Sequence, residues 1–131
     1  VSGVEGDPEL SIAALTRVLE LRDERIIPLS FASKDVGLPL GTPRDMAGFP
    51  PNQRDKEADL LRRILHNQQQ GGQYNWVLMN AALILYAAGK GSTWALCIPL
   101  ARRALEEGVA ARKLEELTQE PVGTGLTSRT H

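Results

Sequence analysis

The sequence predicts a mixed fold with strands first and about four helices after, α+β in appearance when the chain is taken alone. Three observations carry this. Two short apolar runs, near residues 16–21 and 26–31, are parted by the charged Arg22-Asp23-Glu24-Arg25. A stretch dense in Gly and Pro follows, from Gly37 to Pro51. From Asp55 onward apolar residues recur at helical spacing.

The first element is a hairpin. Thr16-Arg17-Val18-Leu19-Glu20-Leu21 partly alternates polar and apolar, and Ile26-Ile27-Pro28-Leu29-Ser30-Phe31 supplies the partner strand. Asp23 suits a turn position that needs a permissive backbone. Pro28 lacks an N–H, so its strand should lie at a sheet edge or place Pro28 outward. Gly37, Pro39, Gly41, Pro43, Gly48, Pro50 and Pro51 then mark a long irregular crossing.

Four helices are expected next, over 53–70, 75–88, 93–107 and 109–118. In the first, Leu61, Ile64 and Leu65 form a stripe, Asn52 is a candidate N-cap and Gly71-Gly72 a stop. Trp76 to Ala88 is apolar nearly all round and reads as a buried central helix with Asn75 as its cap. Thr93 caps the third, where Pro99 removes a hydrogen bond and should kink the helix or delay its start. The fourth offers Leu114 and Leu117. The expected core is Leu61, Ile64, Leu65, Val77, Leu83, Ile84, Leu100, Ala104, Leu105 and Leu114. Residues 1–118 form the expected domain. Residues 119–131, with little to bury, are an expected disordered tail.

Composition bounds the function classes. The chain has 131 residues, enough for one domain. It carries 15 Lys and Arg against 16 Asp and Glu, so no basic surplus points to nucleic acid. Cys97 alone excludes an intrachain disulfide and a cysteine-based zinc cluster. His66 and His131 leave little scope for imidazole chemistry. No segment reaches the ~18 apolar residues of a membrane span, and no signal peptide is visible. The expectation is a cytoplasmic, reducing setting. A first residue Val1 in place of Met implies a chain that was processed, cut or built as part of something longer.

Few residues suggest chemistry. Gly123-Thr124-Gly125 looks like the start of a phosphate loop, but lies in the tail without the strand and helix such a loop needs. Glu5-Gly6-Asp7-Pro8-Glu9 gathers three carboxylates in a glycine-containing loop, a type that can hold a hard cation such as magnesium or be an ordinary acidic turn. His66 closes a helix and reads as a cap. Cys97 reads as core. Asn80, inside the apolar helix, needs hydrogen-bond partners and reads as bonded to backbone. Trp76, Trp94 and Tyr86 read as core or interface anchors.

A family resemblance adds to this. Asn80 to Lys90, followed by Leu100-Ala101-Arg102-Arg103-Ala104-Leu105 and Lys113-Leu114-Glu115-Glu116-Leu117, resembles the C-terminal end of anthranilate phosphoribosyltransferase, of glycosyltransferase family 3. Val1 to Ser11 is similar to that family's strand and acidic loop. The hairpin and Val36-Gly37-Leu38-Pro39 follow in the family's order, so the likeness runs from Val1 to about Leu117.

The resemblance implies an α/β fold, with this chain as the C-terminal part of the family 3 α/β domain. It implies transfer of phosphoribose from phosphoribosyl pyrophosphate to anthranilate, with magnesium, in tryptophan biosynthesis. The family's GTGGD phosphate loop, its KHGN segment and its anthranilate contacts fall outside the chain, so no catalytic residue is assigned here. Of an adjacent Asp-Glu pair that binds magnesium in the family, Glu9 matches the Glu and Pro8 stands in place of the Asp. Asp7 is one position early and substitutes only if the loop shifts. Pro99, and Trp94 to Leu96 where acidic residues are frequent, depart further from the pattern.

The expected partner is the remainder of a parent protein or another chain, with small-molecule substrates only for the whole. If Val1 to Val4 belongs to a parallel sheet, the chain exposes an open edge and an uncovered apolar face. It is then marginally stable, oligomeric or bound to another chain. The alternative is a non-catalytic binding or structural module derived from the family.

Overall fold

The structure, a computed structural model, describes residues 2–3 and 10–119. Strands β1 (Ser2–Gly3), β2 (Thr16–Arg22) and β3 (Arg25–Phe31) form one antiparallel sheet in that order. Helices α1 (Arg54–Leu65), α2 (Gly72–Ala87), α3 (Trp94–Glu106) and α4 (Val109–Gln119) follow. Glu5-Gly6-Asp7-Pro8-Glu9, Gly123-Thr124-Gly125, His131 and the expected tail beyond Gln119 lie outside the described residues.

The hairpin forms as its pattern demands. Pairing runs from Thr16 opposite Phe31 to Arg22 opposite Arg25. Only Asp23 and Glu24 are left to turn, at φ 49° and 63°. Two consecutive left-handed residues match the twist of the flanking strands. Among the described residues β3 lies at the edge of the sheet, and Pro28 is exposed, which suits its missing N–H. In β1, Ser2 pairs with Arg17 and Gly3 with Thr16, antiparallel.

The crossing segment is compact. Three short 3-10 turns, Ser33–Val36, Pro43–Met46 and Pro51–Gln53, carry it. Asp35 accepts from the Ala32 N–H at 2.7 Å, and Asp45 from the Thr42 N–H at 2.8 Å, so carboxylates close the first two turns. These Thr42 bonds hold the Asp45 carboxyl below its ordinary range. Val36 and Leu38 are buried. Gly41 donates its N–H to the Ile12 carbonyl at 2.8 Å, and a Cβ at Gly41 would lie 2.5 Å from Ile12 Cδ1. Gly is needed there for close approach.

The helices differ from expectation at their ends. α1 stops at Leu65, short of 70, because Asn67 takes φ 56° and breaks the helix. Its N-cap is Gln53, without a side-chain bond, and not Asn52. α2 begins at Gly72, so Asn75 lies inside it and donates its N–H to the Gly71 carbonyl. Thr93 caps α3 as expected, its Oγ1 accepting from the Leu96 N–H at 3.2 Å. α3 runs through Pro99, which faces solvent and does not delay its start.

The core lies between α2, α3 and the hairpin. Leu78, Met79, Ala82, Cys97 and Ala101 are buried there. Trp94 meets Phe31 of β3 edge-on, ring centroids 4.5 Å apart, and donates its indole N–H to the Met79 carbonyl at 3.3 Å. Of the expected core, Ile64 and Leu105 are buried, and Leu65, Val77, Leu83 and Leu100 pack half-buried against it. Ala104 and Leu114 are also half-buried. Leu61, 47% exposed, and Ile84, 70% exposed, correct the expectation. An all-apolar helix covered by neighbours on part of its circumference leaves a residue such as Ile84 outside.

Candidate functional site

The residues just after the acidic stretch form an irregular segment held on several sides. Leu10 and Ile12 are fully buried and Ser11 nearly so. Buried backbone without a ladder must find other partners. The Leu10 carbonyl accepts from Trp76 Nε1 at 2.7 Å. Its N–H donates to Asn80 Oδ1 at 3.4 Å, while Asn80 Nδ2 donates to the Trp76 carbonyl at 3.0 Å. Trp76 and Asn80 are one helical turn apart on α2, so a single helix face holds both backbone groups of Leu10.

The next residues are tied from other sides. The Ser11 N–H donates to Thr16 Oγ1 at 2.9 Å. Ser11 Oγ accepts from the N–H groups of Ala13 and Ala14 at 3.2 and 3.0 Å and donates to Met46 Sδ. The Ile12 carbonyl also accepts from Ser33 Oγ at 3.3 Å. Asp7, Pro8 and Glu9 lie outside the described residues; Leu10, which follows them in the sequence, is held by α2. Asn80 bonds to backbone as its sequence position suggests. The indole of Trp76 has the same task, which its reading as an anchor does not specify.

An apolar groove of about 150 Å³ runs beside Trp76. Phe49, Leu60, Leu61, Ile64 and Val77 line it, with Glu57 and Gln73 as its polar members. Leu61 faces this groove and not the core, which accounts for its exposure.

A polar latch joins the hairpin to the end of α2. Tyr86 donates its hydroxyl to Glu20 Oε1 at 2.9 Å. Arg22 donates to the same oxygen from Nη2 at 2.7 Å and Nε at 3.0 Å, and also bonds the Tyr86 hydroxyl. The Tyr86 bond, with help from Arg22, holds the Glu20 carboxyl below its usual range. The same bond pushes the Tyr86 phenol up. Tyr86 is legible in the sequence as an anchor, whereas Glu20 and Arg22 read only as strand residues.

His66 has the cap-like place its position suggests. Its Nδ1 donates to the Arg62 carbonyl at 2.8 Å, and Nε2 lies 3.8 Å from Glu115 of α4. Cys97 is buried core. Among the described residues no group of three His, Cys, Asp or Glu could hold a metal ion. No described helix is long and apolar enough to cross a membrane.

A family model described as "Glycosyl transferase family, a/b domain" matches residues 1–111. Anthranilate phosphoribosyltransferase of Desulfosudis oleivorans is 34% identical over 119 residues, which cover 91% of this chain and 34% of that protein. The same enzyme of Geobacillus kaustophilus is 35% identical over 122 residues, 93% of this chain and 35% of its own. The crystal structure of anthranilate phosphoribosyltransferase from Thermus thermophilus superposes with a TM-score of 0.75 at 29% identity. The match covers 86% of this chain and 32% of that one. This chain spans about a third of the length of the relatives it matches.

Proposed function

We infer the function from one premise: the chain belongs to the glycosyl transferase family, through its a/b domain. We propose that it serves phosphoribosyl transfer from phosphoribosyl pyrophosphate to anthranilate, the tryptophan-pathway reaction. It does so as the C-terminal part of the domain, completed by a counterpart of the two thirds it does not span. The observation that carries this is the match over residues 1–111, which takes in the acidic stretch, the hairpin and helices α1 to α3 together. A cytoplasmic setting accords with such a reaction.

In this reading Glu9, with Asp7 in support, would hold magnesium, since hard carboxylate oxygens suit that ion. Held there, magnesium would supply charge neutralisation for the diphosphate leaving group. Pro8 stands in place of one family carboxylate, so Glu9 and Asp7 would supply fewer of the ion's oxygen ligands than the family pair. Trp76 and Asn80 hold the backbone of Leu10, the residue that follows Glu9 in the sequence. Among the described residues no glycine-rich loop joins a strand to a helix, and in this reading residues 1–131 alone neither bind phosphoribosyl pyrophosphate nor turn over anthranilate.

A chimera tests the proposal. This chain replaces the matched segment of the Geobacillus kaustophilus enzyme, and anthranilate consumption is followed by its fluorescence. Turnover above that of a chimera carrying Glu9→Ala supports the reading. A folded chimera without turnover favours the alternative, a non-catalytic binding or structural module, which the loss of the family Asp at Pro8 also favours.

A further inference from the structure

The β2–β3 hairpin is apolar on both faces. Val18, Leu29 and Phe31 share the inner face and join the core. On the outer face Leu19 lies opposite Pro28 and Leu21 opposite Ile26. Leu21 is 75% exposed, Leu19 and Ile26 69% each. Directly opposed side chains on one face touch, so these four make one continuous stripe. A sheet that is apolar on both faces is normally covered on both. A contiguous exposed apolar stripe marks an interaction surface.

The chain itself has little to cover it with. Outside the described residues its apolar side chains are Val1, Val4, Pro8, Pro121, Val122 and Leu126, with no run among them. The relatives supply what is missing, for about two thirds of their length has no counterpart here. Pro28 narrows the approach. It sits on an edge strand and offers no N–H to an incoming strand, so a partner seats face-on and does not extend the sheet at that point.

We propose that the stripe Leu19, Leu21, Ile26 and Pro28 is the seat for the complementary part of the family's a/b domain. The proposal rests on the functional reading above and names the surface through which that partner is held. Leu19 and Leu21 then become core residues of the completed domain, and the inner and outer faces of the hairpin serve two different cores.

Hydroxyl-radical labelling compares residues 1–131 alone with the chimera described above, and turnover is measured on the same sample. The expected result is strong labelling of Leu19, Leu21 and Ile26 in the chain alone, falling in the chimera to the level of buried Ile12 and Leu78. An active chimera with the stripe still labelled overturns this inference and leaves the functional reading standing. Protection without turnover supports the inference and counts against the activity. Labelling without turnover overturns both. As a second readout, Leu21→Glu should lower the melting temperature of the chimera by about 5 °C and leave that of the chain alone unchanged. An equal effect in both overturns the proposal.

Discussion

The two faces of one hairpin carry similar side chains and meet different fates. On the inner face Val18 is buried, and Phe31 stacks edge-on against Trp94. On the outer face Leu19, Leu21 and Ile26 stand in solvent. Strand propensity is alike for both sets, so propensity does not decide which face is covered. What decides it is which helices the chain has available. α2 and α3 reach one side, and among the described residues nothing reaches the other.

That contrast can be broken from the inner side first. Trp94→Ala removes the contact with Phe31 and the bond to the Met79 carbonyl. It should cost about 3–5 kcal/mol, measured by urea unfolding of residues 1–131. A loss below that of an outer-face substitution would overturn the assignment of the core.

A smaller effect is expected where α2 holds the Leu10 backbone. Trp76→Phe keeps most of the ring and deletes the donor to a buried carbonyl, at about 1–3 kcal/mol. Faster amide exchange at Ser11 and Ile12 should accompany it, while the β2–β3 ladder keeps its protection. Uniform loosening of the whole chain would show that Trp76 acts only as core.

The latch at the hairpin's end should give a weaker, pH-dependent signal. The folded-state Glu20 carboxyl titrates below its unfolded value, chiefly through the Tyr86 bond and then Arg22. Its contribution is therefore present above the unfolded carboxylate range and lost as pH falls through the lowered folded value. Tyr86→Phe should flatten the acid limb of a stability–pH curve and raise the Glu20 titration midpoint seen by NMR. An unchanged midpoint would mean that Arg22 alone sets it. Smallest of all, Leu21→Ser on the outer face should change the stability of the free chain by no more than about 0.5 kcal/mol.

Sequence reading reaches the hairpin, the four helices and the cap at Thr93, because period and capping chemistry are local. It places the end of α1 at Gly71, where a glycine invites it, but Asn67 adopts the left-handed backbone first. It misses Leu10, Ile12, Val36 and Leu38 as core because they lie in segments without period, held by hydrogen bonds to distant elements. It names Asn80 as a residue needing partners but has no means of finding Leu10 at the other end. The acidic stretch is legible only through resemblance, and Glu9 and Asp7 remain proposals because they lie outside the described residues.

In the proposed reading residues 1–131 carry part of a phosphoribosyl-transfer site and not a working one. Calorimetric titration of residues 1–131 with phosphoribosyl pyrophosphate and magnesium tests it most directly. The expected result is no saturable heat. Saturable micromolar binding that Glu9→Ala abolishes would contradict it.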